Sequence, residues 1–183
     1  QDLHDLIVSV TMEGHSGITD TAVVYVNVND VNDNSPKFGT SCRDVIIPEN
    51  SASEFVHAFV AVDADSGDNG RLSYALNNDD LRDLFRIERD TGKLFAIPLD
   101  REERDRYDLE ILAVDNGPDR RTTKCVVSVK VMDENDNSPS FSQSIYSASV
   151  KEDIRIGTEV LRVSATDPDS GNNAKVTYAI EKA

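Results

Sequence analysis

Oxygen-bearing side chains are concentrated in two motifs that each occur twice in this chain. Residues 30–38 read DVNDNSPKF, and residues 133–141 read DENDNSPSF, which is 103 positions further on. Residues 61–76 read AVDADSGDNGRLSYAL, and residues 165–180 read ATDPDSGNNAKVTYAI. Carboxylate and amide oxygens are the ligands that hard divalent cations prefer. The spacing of these residues therefore favours cation binding over acid–base catalysis by paired carboxylates.

The repeat period of about a hundred residues is the length of a domain rather than of a solenoid repeat. It predicts a tandem array in which residues 1–36 form the C-terminal part of one unit, residues 37–138 form a complete unit, and residues 139–183 form the N-terminal part of a third. The complete unit is long enough to bury an ordinary core, whereas neither partial unit is. We therefore expect the chain to be a piece of a longer array.

The apolar pattern is typical of β-strands. Valines alternate with other residues over 24–28 and again over 127–131, directly before each copy of the first motif. In the complete unit, turn signals separate strands predicted near 43–47, 55–62, 71–76, 84–88, 93–97, 107–114 and 122–132. This pattern predicts an all-β chain built from tandem seven-stranded Greek-key β-sandwiches. The charged stretch 100–108 is predicted to be a solvated surface turn rather than a helix.

The charge balance argues against nucleic acid as a partner. The chain has 34 acidic and 19 basic residues and a net charge of −15, whereas nucleic-acid-binding proteins carry clustered lysine and arginine. Many of the acids lie inside the repeated motifs, which favours cation binding over a merely soluble acidic surface. The sequence has neither a signal peptide nor a transmembrane run, which says nothing about membrane attachment of a longer parent protein.

The histidines and cysteines do not suggest an enzyme. His4, His15 and His57 do not cluster with a nucleophile, and neither cysteine has an activating neighbourhood. We therefore predict no catalytic residues. Cys42 and Cys125 both belong to the complete unit, where they form either a disulfide or two independent buried thiols. No Asn-x-Ser/Thr sequon occurs, so N-linked glycosylation is not expected in this stretch.

Five motifs, in this order along a unit, resemble the cadherin superfamily. They are DxNDNSPxF, PEN at 48–50, AxDxDSGxN, LDRE at 99–102 and AVDNG at 113–117. The resemblance covers essentially the whole chain and implies an internal piece of a long non-classical cadherin. An EF-hand is the alternative for DxDxG, but a loop counted from Asp63 has Tyr74 at position twelve, where a bidentate glutamate is required.

The resemblance implies three calcium ions at each junction between successive units. At the second junction, around residues 133–139, the implied ligands are Glu49, Asp100, Glu102, Asp133, the main-chain carbonyl of Glu134, Asn135, Asp136, Asn137, Asp167, Asp169 and Asn173. One further aspartate of the third unit would follow Ala183. The innermost site of that unit is therefore expected to be one ligand short.

At the first junction, around residues 30–36, the implied ligands are Asp30, Asn32, Asp33, Asn34, Asp63, Asp65, Asn69 and Asp115. The bridging glutamate and the LDRE carboxylates of this junction would precede Gln1. The ion nearest the complete unit has a full ligand set, consisting of Asn32, Asn34, Asp63, Asp65, Asn69 and Asp115. We expect the two outer sites to be weak or empty unless the missing part of the first unit is supplied.

One position departs from the family pattern. Aligning residues 6–14 with residues 109–117 places Met12 where the complete unit has Asp115. A thioether is a soft donor and a poor calcium ligand. This predicts a calcium-poor junction above the first unit, unless the neighbouring Glu13 substitutes.

The resemblance implies calcium-dependent cell–cell adhesion by an extracellular, calcium-rigidified segment of a membrane-anchored parent. The implied partners are calcium ions and other cadherin ectodomains, bound homophilically or heterophilically. The alternative is a heterophilic protein-recognition module within a signalling cadherin. The chain contains no tryptophan, so strand exchange through an N-terminal tryptophan is not expected.

Overall fold

The computed structural model describes residues 2–14, 17, 19–51 and 55–181. His15 and Ser16, which the sequence places at a hairpin turn, lie outside the described residues. Among those described, no helix is both long enough and apolar enough to cross a membrane.

The complete unit is a β-sandwich, which confirms the predicted fold class. Its strands are β3 (Lys37–Phe38), β4 (Val45–Pro48), β5 (His57–Ala58), β6 (Ala61–Val62), β7 (Leu72–Leu76), β8 (Phe85–Ile87), β9 (Lys93–Ala96), β10 (Arg106–Asp115) and β11 (Thr122–Met132). One sheet has the order β4-β11-β10-β7, with β4 parallel to β11, and it faces the sheet β5-β9-β8 and the pair β3-β6. The parallel pairing brings the first and last parts of the unit together.

The observed elements differ from the predicted ones in four places. The strand predicted over 55–62 is divided into β5 and β6, because the chain changes partner at Phe59: β5 pairs with β9, whereas β6 pairs with β3. The short strand β3 and a single turn of 3-10 helix at Asp79–Leu81 were not predicted. In the charged stretch, residues 101–103 form the predicted turn, but Arg106 already belongs to β10 because the next residue, Tyr107, is buried.

The core lies between the two layers and is made by alternate residues of the long strands. Its fully or almost fully buried members include Phe59, Phe85, Leu94, Leu109, Ile111, Val127 and Val129. Burying an aliphatic or aromatic side chain of this size stabilises a fold by about 1.5–3 kcal/mol. The core therefore fixes which strand ends reach the two junctions.

Two leucines of β10 allow the core assignment to be tested. Leu109 is 0% exposed, whereas Leu112 is only partly buried and lies on the opposite face of the same strand. We expect Leu109→Ala to lower the free energy of unfolding by about 2–5 kcal/mol through the cavity that it leaves. Leu112→Ala, the matched control, should cost about 1 kcal/mol or less. Denaturant unfolding at fixed calcium measures both values, and equal losses would contradict the assignment.

The partial units repeat local pieces of the complete one. The hairpin of β1 (Asp2–Thr11) and β2 (Thr19–Val28) pairs Leu6 with Val24, just as β10 and β11 pair Leu109 with Val127, 103 residues later. The pair of β12 (Ser140–Phe141) and β13 (Ala165–Thr166) likewise corresponds to the pair β3-β6. The shared register supports the alignment of Met12 with Asp115, while the exact unit boundaries remain a prediction.

The structure joins Cys42 and Cys125 in a disulfide, with their Cα atoms 5.8 Å apart. Cys42 lies in the segment before β4, and Cys125 lies in the middle of β11. The bridge therefore fastens the first part of the complete unit to its last strand. Of the two alternatives that the sequence leaves open, this structure contains the bridge.

Candidate metal centres at two domain junctions

The two linkers place the repeated polar residues at the ends of the long strands. Residues 30–36 follow β2 and residues 133–139 follow β11, and neither linker forms regular secondary structure. Pro36 and Pro139 end these linkers, and proline disfavours helix in the residue before it. The carboxylates and amides of each linker are therefore presented beside the loops of the next unit.

At the first junction, the linker is bonded to the loop that follows β6. Asp30 Oδ2 accepts hydrogen bonds from the backbone N–H of Ser66, at 3.0 Å, and from Asn69 Nδ2, at 2.9 Å. The backbone N–H of Asn34 donates to Asp65 Oδ2 at 3.0 Å. Asp30 and Asp65 thus tie the linker to this loop from both sides of the junction.

The second junction contains the same network between residues 103 or 104 positions further on. Asp133 accepts hydrogen bonds from the backbone N–H of Ser170, at 2.8 Å, and from Asn173 Nδ2, at 2.9 Å. Asn137 Nδ2 donates to Asp169 Oδ1 at 2.9 Å. The repetition in sequence therefore corresponds to a repetition of local geometry.

Carboxylates from separate parts of the chain converge at the second junction. One oxygen each from Glu49, Glu102 and Asp133 lies within 4.8 Å of the others, and the same is true of Glu102, Asp136 and Asp169. These residues come from the end of β4, the turn at 101–103, the linker and the third unit. Since Glu102 belongs to both groups, the two clusters form one continuous acidic site.

The backbone holds Glu49 in place at the centre of this site. Its side chain is almost completely buried, with a residue exposure of 1%. Oε1 accepts a hydrogen bond from the backbone N–H of Glu134 at 2.7 Å, and Oε2 accepts one from the backbone N–H of Arg101 at 2.8 Å. Glu49 therefore connects the linker to the turn of the LDRE motif.

Asp115 has the corresponding structural role at the first junction. It is 0% exposed at the end of β10, and its Oδ1 accepts hydrogen bonds from Asn32 Nδ2 and from the backbone N–H of Gly117, both at 3.1 Å. Its Oδ2 accepts from the backbone N–H of Arg121 at 2.9 Å. A Cβ on Gly117 would lie 2.5 Å from Asn32 Nδ2 and 2.7 Å from Asn69 Oδ1. The amides of Asn32 and Asn69 thus occupy the space that the side chain of any residue larger than glycine would need at position 117.

Three buried oxygen atoms at the junctions lack a hydrogen-bond partner within the described part of the chain. They are Asn32 Oδ1, Asp63 Oδ2 and Asp169 Oδ2. A buried acceptor without a partner destabilises a fold, so native structures normally satisfy it. All three are hard oxygen donors of the kind that calcium binds. The residues at both junctions therefore fit a calcium ion.

A family model for the cadherin domain matches residues 43–132 and 146–183. The chain belongs to the cadherin family. Cadherin ectodomains are extracellular adhesion modules rather than enzymes, and cadherin domains bind calcium. The match confirms the family predicted from the five motifs.

Several cadherins and protocadherins are similar to this chain. It is 44% identical to protein dachsous of Drosophila melanogaster over 163 residues, covering 88% of the chain and 5% of that protein. It is 38% identical to human protocadherin-15 over 180 residues, covering 98% of the chain and 9% of that protein. The crystal structure of mouse cadherin-23 EC22-24 matches with a TM-score of 0.81 and 33% identity, over 98% of this chain and 59% of that one. The chain thus spans less than a tenth of these two relatives.

Other predicted ligands of this cadherin lie at the junctions but mainly organise the backbone. Asp100 Oδ1 accepts hydrogen bonds from the backbone N–H groups of Glu102 and Glu103, at 2.8 and 3.2 Å. Asp167 Oδ1 accepts one from the backbone N–H of Asp169 at 3.0 Å. Asp33, Glu134 and Asn135 lie in the linkers, outside the two carboxylate clusters.

The environment shifts the pKa of three groups at these junctions. A hydrogen bond from the Asn34 side chain holds the pKa of Asp65 below its ordinary value. Desolvation raises the pKa of Glu102. Burial opposes the charge of Arg101, but the carboxylates of Glu102 and Asp133 outweigh that effect and raise the pKa of the guanidinium. The second junction therefore combines a desolvated carboxylate, Glu102, with a guanidinium whose positive charge the neighbouring carboxylates stabilise.

Three residues outside the predicted ligand sets also take part in the junctions. Asn50, in the left-handed region at φ 53°, donates from Nδ2 to Asp136. Gly117 leaves room for the first-junction amides, and Arg101 points into the second junction. All three belong to quoted motifs, namely PEN, AVDNG and LDRE. Their position inside those motifs is the available signal in the sequence.

Proposed function

We propose that this chain is a calcium-rigidified segment of a cell-surface cadherin ectodomain that acts in calcium-dependent cell–cell adhesion. The observation that carries the proposal is the repeated network in which linker carboxylates bond to the loop of the next unit, beside unpartnered buried oxygens. A calcium titration, combined with scattering in calcium and in EDTA, tests it.

The proposed ligands are the oxygen-bearing residues that the motifs predict. At the first junction they are Asp30, Asn32, Asp33, Asn34, Asp63, Asp65, Asn69 and Asp115. At the second they are Glu49, Asp100, Glu102, Asp133, Glu134, Asn135, Asp136, Asn137, Asp167, Asp169 and Asn173. The convergence of Glu49, Glu102 and Asp133 from three parts of the chain supports the second set.

Charge repulsion explains how such a junction would respond to calcium. Seven side-chain carboxylates belong to the second junction, apart from Glu134, which is proposed to bind through its main-chain carbonyl. Like charges a few ångströms apart repel each other. Bound calcium would supply the compensating positive charge. Because Asp133 and Asp136 lie in the linker while Asp169 lies in the third unit, ligation would hold the two units together. Binding free energy would thereby stabilise one interdomain arrangement.

The expected affinity suits an extracellular site. Extracellular calcium modules bind with Kd values of about 10⁻⁴–10⁻³ M. A junction with such an affinity would be occupied outside the cell and would loosen when calcium is removed. Contacts with other cadherin ectodomains, and recognition of a different protein by one sandwich face, remain predictions about the longer parent.

Gly117 provides a test at the first junction. Its φ lies outside the left-handed region, so Gly117→Ala should cause little backbone strain but should displace the amides of Asn32 and Asn69. We expect about tenfold weaker calcium binding at the first junction, comparable to the loss of an outer-shell partner. Gly39→Ala is the matched control, since a Cβ there meets nothing within 4 Å. Calorimetry measures both variants, and unchanged binding by Gly117→Ala would contradict the site.

The position of Met12 supports the proposal that the junction above the first unit is calcium-poor. The shared strand register aligns Met12 with Asp115, and Met12 is 57% exposed. A methionine here offers only a weakly accepting thioether in place of the carboxylate that accepts two backbone hydrogen bonds in the complete unit. Substitution by the neighbouring Glu13 is the alternative at this position.

A further inference from the structure

The side chain of Arg101 lies inside the second junction rather than in solvent. Only 17% of the side chain is exposed, and its guanidinium bonds to Glu102. Its Nε lies 2.6 Å from Asp133 Oδ1, and Nη2 donates to the carbonyl oxygen of Pro168 at 2.9 Å. Glu49 Oε1 lies 3.9 Å from Nε. One cation therefore contacts four oxygen-bearing groups.

These contacts cross the boundary between two units. Arg101 and Glu102 belong to the complete unit, Asp133 belongs to the linker, and Pro168 belongs to the third unit. A guanidinium is planar and carries five donors in a fork, so it can bond to several oxygens at once. Arg101 thus provides a direct link between the two units that involves no metal ion.

We propose that Arg101 is a built-in counter-cation, which occupies the second junction when calcium is absent and must leave when calcium binds. The inference rests on the proposed calcium-dependent function, because Glu102 and Asp133 are among the ligands proposed there. Glu102 also belongs to both carboxylate clusters. Arginine and metal therefore compete for the same oxygens.

The arginine satisfies the site incompletely, which is what a displaceable occupant requires. Its Nε is buried close to Asp133 but lacks an aligned hydrogen-bond partner in the described part of the chain. Asp169 Oδ2, which belongs to the cluster with Glu102 and Asp136, also lacks a partner there. A divalent ion in that cluster would satisfy carboxylates to which the guanidinium makes no contact.

Competition of this kind has two consequences. The apparent affinity for calcium equals the intrinsic affinity multiplied by the fraction of molecules in which Arg101 has left the site. A site that Arg101 fills about nine-tenths of the time therefore binds calcium about tenfold more weakly. The arginine also screens the repulsion between carboxylates in the metal-free chain and keeps the two units in contact. Arg101 would thus set both the calcium threshold and the stiffness below that threshold.

The experiment compares Arg101→Gln and Arg101→Lys with Arg104→Gln in the 183-residue chain. Arg104 is the matched control because it is exposed and stacks on Tyr107, with its guanidinium carbon 4.6 Å from the ring centroid. Calorimetry with calcium chloride gives the affinity, and small-angle scattering in EDTA gives the metal-free shape. We expect Arg101→Gln to bind calcium about three- to tenfold more tightly and to become more flexible in EDTA than the unmodified chain.

Arg101→Lys should fall between the unmodified chain and Arg101→Gln, because a compact ammonium group lacks the planar fork that lets Arg101 contact all four oxygen-bearing groups. Equal tightening by Arg104→Gln would indicate long-range charge alone and overturn the proposal. So would unchanged or weaker calcium binding by Arg101→Gln, or an unchanged shape in EDTA. If the unmodified chain binds no calcium, the proposed function fails, and the EDTA measurement still decides whether Arg101 links the units.

Discussion

Replacing Asp136 by alanine is expected to weaken calcium binding at the second junction by about ten- to a hundredfold. Asp136 lies in the linker, and one of its oxygens is within 4.8 Å of oxygens of Glu102 and Asp169. It is exposed and hydrogen-bonded to the side chains of Asn50 and Asn137, away from the sandwich core. The variant should therefore lose stiffness between the complete and third units while the complete unit keeps its stability.

Asp83→Ala is the matched control for this variant. It removes the same charge from an exposed position between the 3-10 helix and β8, far along the chain from both linkers. Calorimetry gives the affinities, and scattering in calcium gives the interdomain stiffness. If Asp136→Ala binds calcium and stays extended as the unmodified chain does, the ligand assignment at the second junction is wrong. A loss of the same size in Asp83→Ala would show that net charge alone controls binding.

Removing the disulfide is expected to have the largest effect on stability. Cys42 and Cys125 close a loop with a sequence separation of 83, and a cross-link of this span stabilises a fold by about 4 kcal/mol through the unfolded state. Cys42→Ala combined with Cys125→Ala should lower the free energy of unfolding by roughly that amount. Calcium affinity should change little, since Cys125 lies in the middle of β11 rather than at a junction.

Two controls separate the bridge from the packing of the cysteines. Cys42→Ala alone also breaks the bridge but retains the sulfur of Cys125, which is 1% exposed and belongs to the core. The decrease in unfolding free energy of Cys42→Ala should therefore account for most of the decrease seen in the double variant. Thiol titration of the unmodified native chain should find no free thiol at these two positions. Two titratable thiols, or a double variant within about 1 kcal/mol of the unmodified chain, would contradict the bridge.

Local pattern was sufficient to predict the long strands of this cadherin. Alternation of apolar residues is a direct consequence of strand geometry, and β10 and β11 lie where that alternation predicts them. The division of the strand predicted over 55–62 depends on which neighbour each half pairs with, and such long-range pairing leaves no local signal. The bridge between Cys42 and Cys125 could not be predicted from local pattern either, because it depends on the distance in space between two residues that are far apart in the sequence.

The junctions show the same distinction between residue type and placement. The repeated motifs identified the oxygen-bearing residues, because their chemistry can be read from their type and spacing. The inward orientation of Arg101 could not be read in this way, since it results from acidic groups that the fold collects from three separate segments. The position of Asn50 against Asp136 likewise requires the end of β4 to meet the linker.

The central claim is that calcium makes this chain rigid, and one paired measurement tests it most directly. Calcium is titrated into the chain by isothermal calorimetry, and small-angle scattering is recorded in calcium and in EDTA. We expect binding with Kd values of about 10⁻⁴–10⁻³ M and an extended particle that becomes flexible when EDTA removes the ion. A chain that binds no calcium, or whose shape is the same in both buffers, would contradict the account.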